Sequence, residues 1–73
     1  MVTEEERMLV IRRLQNWIQM LPPAERNLPI KVVGTRTLTP MEMLEEVKKG
    51  TPIGDLIVKE ELEKIKYFER YKI

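Results

Sequence analysis

Carboxylates are the first side chains to consider for catalysis in this 73-residue chain, because it contains no His, Cys or Ser. Two adjacent pairs, Glu45-Glu46 and Glu60-Glu61, could in principle flank a glycosidic bond. Adjacent residues on a helix point about 100° apart, however, so neither pair converges on one substrate. The usual nucleophile–base pairs of acyl transfer cannot be built within one chain of this composition. The sequence therefore predicts no enzyme and no catalytic residue.

Metal and cofactor sites are equally poorly supported by the residue types. Structural zinc is excluded, since its sites are built from Cys and His. Asp55 is the sole aspartate, and the chain has no Asp-rich loop of the calcium-binding kind. The three glycines, at positions 34, 50 and 54, do not form a phosphate-binding loop. We predict no metal, no cofactor and no small-molecule substrate.

Basic residues are concentrated between positions 7 and 36, where six of them stand against the single acid Glu25, although the whole chain carries a net charge of only +1. Such a surface could contact phosphates without reading sequence. Base-stacking aromatic residues are missing from this surface, because Trp17 falls on the apolar face of the first helix. A solvated helix face is the simpler interpretation, and nucleic-acid binding is the alternative function. Its candidate contacts are Arg12, Arg13, Gln15, Asn16, Gln19, Lys31 and Arg36.

A helix over 40–49, a turn at Gly50 and a second helix from Pro52 have the general shape of a helix-turn-helix motif. In such a motif the first residues of the second helix, here Ile53 to Ile57, approach base edges. None of them is Arg, Gln or Asn, the residues that make bidentate base contacts, and Asp55 would repel phosphate. The sequence therefore favours a plain helical corner.

The first helix is marked by Thr3 and Glu6, which are spaced as a capping box at its start. Apolar residues then recur at helical spacing until Pro22-Pro23, which stops the helix. We predict a helix over about 4–21 and a linker over 22–29. The apolar face of this helix consists of Val10, Ile11, Leu14, Trp17, Ile18 and Leu21.

The periodicity changes after the linker and predicts a β-hairpin over 30–38. Residues 30–33 are mostly β-branched, Gly34-Thr35 suits a two-residue turn, and 36–38 would return. This register places Leu38 opposite Lys31, so the pairing is imperfect. Since a lone hairpin is only marginally stable, it must pack on the helices or pair with another chain through its exposed edge.

Two Thr-Pro dipeptides start the remaining helices. Thr39-Pro40 with Glu42 forms a second capping box, and Gly50 suits a left-handed cap at the end of a helix over about 40–49. Thr51-Pro52 starts a helix over about 52–72, with a possible break near residue 58. Its box is incomplete, because Gly54 stands where Glu is expected. We predict that a Cβ is excluded there because another backbone, or a partner, comes close.

These elements predict a mainly α fold, α+β at most, in a single small domain spanning 1–73. The order is helix, short β-hairpin, helix, helix. Helix 1 and the C-terminal helix are expected to be the main packing partners. Their contact would join Trp17, Leu14 and Ile18 to Leu62, Ile65 and Phe68.

A chain this short has a thin core, and with neither disulfide nor zinc the remaining way to stabilise it is self-association. The leading functional hypothesis is a non-enzymatic protein–protein interaction module that self-associates as a homo-oligomer, with a dimer favoured, or that binds another protein. Its candidate contacts are apolar residues in excess of the helical stripes and the aromatic residues near the end: Met8, Leu9, Met20, Met43, Phe68 and Tyr71.

The expected environment is aqueous and cytoplasmic. No run approaches the roughly 20 apolar residues of a membrane span. Residues 4–6 are all Glu, the wrong charge for a signal peptide. The C-terminal run from Lys64 mixes basic and aromatic residues and could dock on a membrane surface or a partner, but the nearby acids weaken the membrane interpretation. Charged residues make up 34% of the chain, a composition similar to that of hyperthermophile proteins.

Overall fold

The computed structural model describes residues 2–71, and the side chains of residues 2–67. The chain forms helix α1 (Glu4–Met20), a short 3-10 helix (Pro23–Asn27), strands β1 (Lys31–Val33) and β2 (Arg36–Leu38), and helices α2 (Pro40–Lys49) and α3 (Pro52–Tyr71). This confirms the predicted mainly helical class and the order helix, hairpin, helix, helix.

The starts of α1 and α2 are two copies of the same local structure. The hydroxyl of Thr3 accepts a hydrogen bond from the Glu6 N–H at 3.1 Å, and the Glu6 carboxylate accepts one from the Thr3 N–H at 2.9 Å. Thr39 and Glu42 repeat both bonds at the same distances. The bond from the Thr3 N–H holds the pKa of Glu6 below its ordinary value, because it favours the ionised carboxylate. Both predicted capping boxes are confirmed.

The hairpin forms in the predicted register, with Lys31 opposite Leu38 and Val33 opposite Arg36. Gly34 has a φ of 61°, the left-handed conformation that the two-residue turn requires. Leu38 and Val33 are buried in the core. Lys31 resolves its mismatch with Leu38 by extending its ammonium group to the carboxylate of Glu60 on α3. A long aliphatic stem allows a lysine to cover apolar surface while its charge stays at the edge.

Helix α2 lies at the centre of the helical packing. It contacts both α1 and α3 more extensively than those two helices contact each other. The prediction that α1 and the C-terminal helix are the main partners was therefore wrong. Trp17 and Leu62 are only partly buried at the margin of the core, and the side chain of Phe68 lies outside the described residues. The buried apolar core consists of Val10, Leu14, Ile18, Val33, Leu38, Met43, Leu44, Val47, Ile57 and Val58.

Helix α3 is continuous through residue 58, so the possible break does not occur. Ile57 and Val58 are both fully buried. Adjacent positions on a helix point about 100° apart, so burying both requires a wide apolar face. The adjacent apolar residues Ile57 and Val58 therefore indicate a wide apolar face and not an interruption of the helix.

At the junction between α2 and α3 the two backbones approach each other closely. Gly50 ends α2 with a φ of 70°. A Cβ on Gly54 would lie 2.1 Å from the carbonyl oxygen of Glu46. That distance is far inside van der Waals contact, so α3 can cross α2 here only because residue 54 is glycine. The prediction for Gly54 is confirmed, and the neighbouring backbone is that of α2.

Side chains complete this junction with hydrogen bonds. The Thr51 hydroxyl accepts from the Gly54 N–H at 3.0 Å and donates to the Glu46 carbonyl at 3.4 Å. Arg7 of α1 donates from one nitrogen to the Val47 carbonyl and to Asp55, both at 3.1 Å. Arg7 thus ties all three helices together at the point where α2 turns into α3.

Residues 22–29, predicted as a linker, contain the 3-10 helix and fold back on the end of α1. Arg26 donates to the carbonyl oxygens of Leu21 and Gln19, each at 3.3 Å. The last carbonyls of a helix have no partner within it, so these bonds satisfy two orphan acceptors. No helix in the described part of the chain is long and apolar enough to cross a membrane.

Candidate functional site

The most exposed apolar stripe of the domain runs along the segment that enters the hairpin. Leu28, Ile30 and Val32 are 49%, 53% and 67% exposed. They alternate with Pro29 and Lys31, and Leu28 has an extended backbone, with φ −87° and ψ 133°. Alternation with a period of two is the pattern that places side chains on one face of an extended segment, and the exposure of all three residues agrees with it. We call residues 28, 30 and 32 the apolar stripe.

Strand β1 carries Val32 of this stripe at an edge of the sheet, and Leu28 and Ile30 lie in the segment that precedes the strand. The sheet has two strands, and among the described residues β1 pairs with β2 alone. On the opposite face of β1, Val33 enters the core and Lys31 pairs with Glu60. The core and the α3 ion pair therefore hold β1 in place while its other face and its second edge remain without a neighbour in the part described.

Sequence reasoning predicted the exposed edge but missed the stripe. The alternation of Leu28, Ile30 and Val32 is present in the sequence, and a period of two is the signal of a half-buried strand. Pro22, Pro23 and Pro29 led us to end the linker after residue 29, which separated Leu28 from the other two. Reading the alternation across Pro29 would have found all three.

The predicted self-association residues divide into three groups. Met8 and Leu9 are about half exposed, and Met20 is 84% exposed, so these three remain available on the surface. Met43 is only 5% exposed, and its assignment to the surface was wrong. It lies in the core because α2 packs between α1 and α3 and therefore buries a wider face than its stripe indicated. The side chains of Phe68 and Tyr71 lie outside the described residues.

The predicted nucleic-acid surface is divided by ion pairs. Arg13 lies 3.7 Å from Glu61, and Arg36 lies 3.2 Å from Glu46. Lys31 pairs with Glu60. These carboxylates come from α2 and α3, so three of the four predicted cations have an acidic neighbour that would also face a phosphate. Nucleic-acid binding stays a prediction.

The polar residues of α1 in that set are exposed, but they do not form one compact surface. At 100° per residue, Arg12, Asn16 and Gln19 lie within about 60° of one another on the side of α1 opposite the core. Gln15 lies about 60° to one side of Arg12, and Arg13 lies about 100° to the other side, where it approaches Glu61 of α3. All five are exposed to solvent.

The start of α3 is occupied by internal contacts. Gly54 is buried against α2, and Asp55 receives the hydrogen bond from Arg7. Two of the residues that would face base edges in a helix-turn-helix motif, Gly54 and Asp55, therefore hold α3 against the other helices, whereas Leu56 is 50% exposed. This arrangement agrees with the plain helical corner that the sequence favoured.

A groove lies beside the apolar stripe, between α1, the start of β1 and α3. It has a volume of about 380 Å³. Buried Leu14 and Met43 lie deepest in it, and Ile30 contributes to both the groove and the stripe. Its remaining lining consists of Trp17 and charged residues at the opening: Arg13, Lys31, Glu61 and Lys64.

No protein-family model, curated protein or solved structure matches this chain. Functional interpretation therefore rests on the geometry of the domain. No three carboxylates of the described residues lie close enough together to hold a metal ion. The apolar stripe, the open edge of β1 and the groove are the surfaces whose composition differs most from an ordinary solvated face.

Proposed function

We propose that this protein is an interaction module that forms a homodimer through strand β1. The observation that carries the proposal is the apolar stripe, three side chains about half or more exposed, with Val32 on edge strand β1 and Leu28 and Ile30 in the segment that leads into it. An exposed apolar edge strand is a ready template for pairing with another chain. A two-stranded hairpin is also marginal by itself, and a third or fourth strand would stabilise it.

A second copy of the chain fits this edge because antiparallel pairing of identical strands has two-fold symmetry. In such an isologous interface the same patch serves both subunits. Pairing β1 with β1 of a second copy would place the two apolar stripes side by side in a four-stranded sheet. Cross-strand apolar neighbours would then lie about 5 Å apart and shield each other from water.

Lysine and proline ordinarily protect an edge strand from pairing with another chain, but Lys31 and Pro29 do little to protect β1. Lys31 turns its charge toward Glu60 on the core side of the sheet, away from the stripe. Pro29 has no N–H, and the Ile30 N–H already donates to the Leu38 carbonyl at 3.0 Å, so pairing through backbone N–H groups at the open edge starts after Ile30. Because β1 is short, it offers few backbone hydrogen bonds to a second chain. The apolar stripe therefore has to supply most of the association free energy.

The test is sedimentation of the wild-type protein and of Val32→Lys over a concentration series from low to high micromolar. Wild type should shift from monomer to dimer, and Val32→Lys should remain monomeric because it places a charge at the centre of the interface. Met20→Lys is the matched control, since Met20 is even more exposed but lies on α1. Circular dichroism should show native helix content in both variants.

A wild type that stays monomeric throughout the series would contradict the proposal. So would a dimer that Met20→Lys disrupts and Val32→Lys leaves intact, because that result moves the interface to α1. The chain has no Cys, so a single Val32→Cys substitution offers an independent check by oxidation. Cross-linking of Val32→Cys should be faster than that of Met20→Cys if the strands meet near the two-fold axis.

A further inference from the structure

The groove beside the apolar stripe has an apolar interior and a charged opening. Leu14 and Met43 form its floor, and both belong to the buried core. Trp17 and Ile30 form its apolar walls. Its volume of about 380 Å³ falls within the roughly 300–1,000 Å³ typical of small-ligand sites.

Cations dominate the opening of the groove. Arg13, Lys31 and Lys64 line it, against the single lining carboxylate of Glu61. Glu61 lies 3.3 Å from the Lys64 ammonium and 3.7 Å from the Arg13 guanidinium, so one carboxylate is shared between two cations. Even when Glu60, the partner of Lys31, is included, the opening keeps a net positive charge.

We propose that the groove binds a small planar apolar ligand that carries one anionic group. The indole of Trp17 offers a flat surface for an aromatic body, which would lie over Leu14 and Met43 and lose its contact with water. The anionic group would remain at the opening, where Lys64 and Arg13 have spare N–H donors because they share Glu61. A cationic ligand of the same shape would meet three positive side chains and is excluded.

This site shares Ile30 and Lys31 with the segment proposed to form the dimer, but substitution of Val32 distinguishes the two. Val32 does not line the groove, so Val32→Lys leaves every groove residue in place. The ligand experiment can therefore be carried out both on wild type and on this variant. Binding that persists in Val32→Lys supports a site complete within one subunit, and binding lost there would overturn this proposal.

The probe is naphthalene-2-carboxylate, with the neutral naphthalene-2-carboxamide as its isosteric control. The readout is the indole N–H resonance of Trp17, which is unambiguous because the chain has one tryptophan. We expect the carboxylate to shift this resonance in a saturable manner. It should bind about fivefold more tightly than the carboxamide, a preference set by a partly exposed charge interaction.

Lys64→Gln tests the charged opening, and Lys48→Gln on α2 is its matched control, since Lys48 is exposed and does not line the groove. Lys64→Gln should remove most of the preference for the carboxylate over the carboxamide, whereas Lys48→Gln should leave it unchanged. Three results would overturn the proposal: no saturable shift of the Trp17 signal, equal affinity for the two probes in wild type, or equal effects of the two substitutions.

Discussion

The junction of α2 and α3 and the segment from Leu28 to Val32 lie in the same small domain but are built in opposite ways. At the junction, the Gly54 backbone packs directly on the Glu46 carbonyl, and Arg7 joins three helices through hydrogen bonds. Along the segment, three apolar side chains remain about half or more exposed. The comparison teaches that this chain satisfies the α2–α3 junction with internal contacts and leaves the apolar surface of a potential interface along residues 28–32.

The largest expected effect is that of Gly54→Ala at the junction. A methyl group there would lie 2.1 Å from the Glu46 oxygen, so α3 would have to move away from α2. We expect a loss of about 3 kcal/mol or more in the free energy of unfolding, even though alanine is the better helix former by about 1 kcal/mol. Urea unfolding followed by circular dichroism at one fixed protein concentration measures it.

Gly34→Ala in the hairpin turn is the matched control for that substitution. Gly34 has a φ of 61°, but an added Cβ would meet nothing within 4 Å. Its cost should therefore be the backbone strain alone, about 1–2 kcal/mol. The contrast between the two regions fails if Gly54→Ala is as stable as Gly34→Ala.

The next largest effect is expected for Arg7→Met, which removes the guanidinium group but retains an apolar side chain. Arg7 is largely buried, and its loss leaves Asp55 without its donor and the Val47 carbonyl with the Gly50 N–H alone. We expect destabilisation of about 2 kcal/mol, as for other hydrogen bonds to charged groups. Since Asp55 is partly exposed, solvent screening should keep the Arg7–Asp55 coupling in a double-mutant cycle with Asp55→Asn below about 1 kcal/mol.

Arg12→Met is the control for Arg7→Met on the same helix. Arg12 is exposed and makes no ion pair or hydrogen bond to any described side chain or backbone group. Its replacement should change stability by less than about 0.5 kcal/mol. Equal effects of the two substitutions would show that Arg7 does not join the helices as the structure indicates.

The smallest of these effects is expected for Thr51→Ala. The Thr51 hydroxyl caps α3 through the Gly54 N–H and also donates to the Glu46 carbonyl. Its removal should cost about 1 kcal/mol, and Thr51→Ser should restore most of that loss because it keeps the hydroxyl. Thr37→Ala on the exposed strand should cost less than about 0.5 kcal/mol, and thermal unfolding that ranks Thr37 above Thr51 would reverse the comparison.

Local sequence signals predicted most of the elements. The Thr3 and Thr39 capping boxes, the left-handed Gly50 and the Gly34 turn each depend on residues within four positions of one another. The incomplete box at Thr51 also indicated that Gly54 is reserved for a close contact. These features were readable because caps and turns are decided by hydrogen bonds over a few residues.

The candidate sites were less accessible to sequence reasoning. The stripe was divided by Pro29, and the groove brings together residues from four separate parts of the chain, from Arg13 to Lys64. No spacing rule connects such positions. The exposed methionines of α1 were recognised as surplus apolar residues, but nothing in the sequence distinguished them from Met43, which the structure buries.

By itself, the sequence determined where each helix starts and stops, the register of the hairpin and the absence of the residue types that most catalytic and zinc sites require. Only the tertiary structure decided that α2 lies between α1 and α3, that Met43 is buried, and that Lys31 and Arg13 pair with Glu60 and Glu61. The physical reason is the range of the interactions. An apolar stripe specifies that a face is buried but not which other face covers it, and charges far apart in sequence become neighbours only when packing brings their elements together.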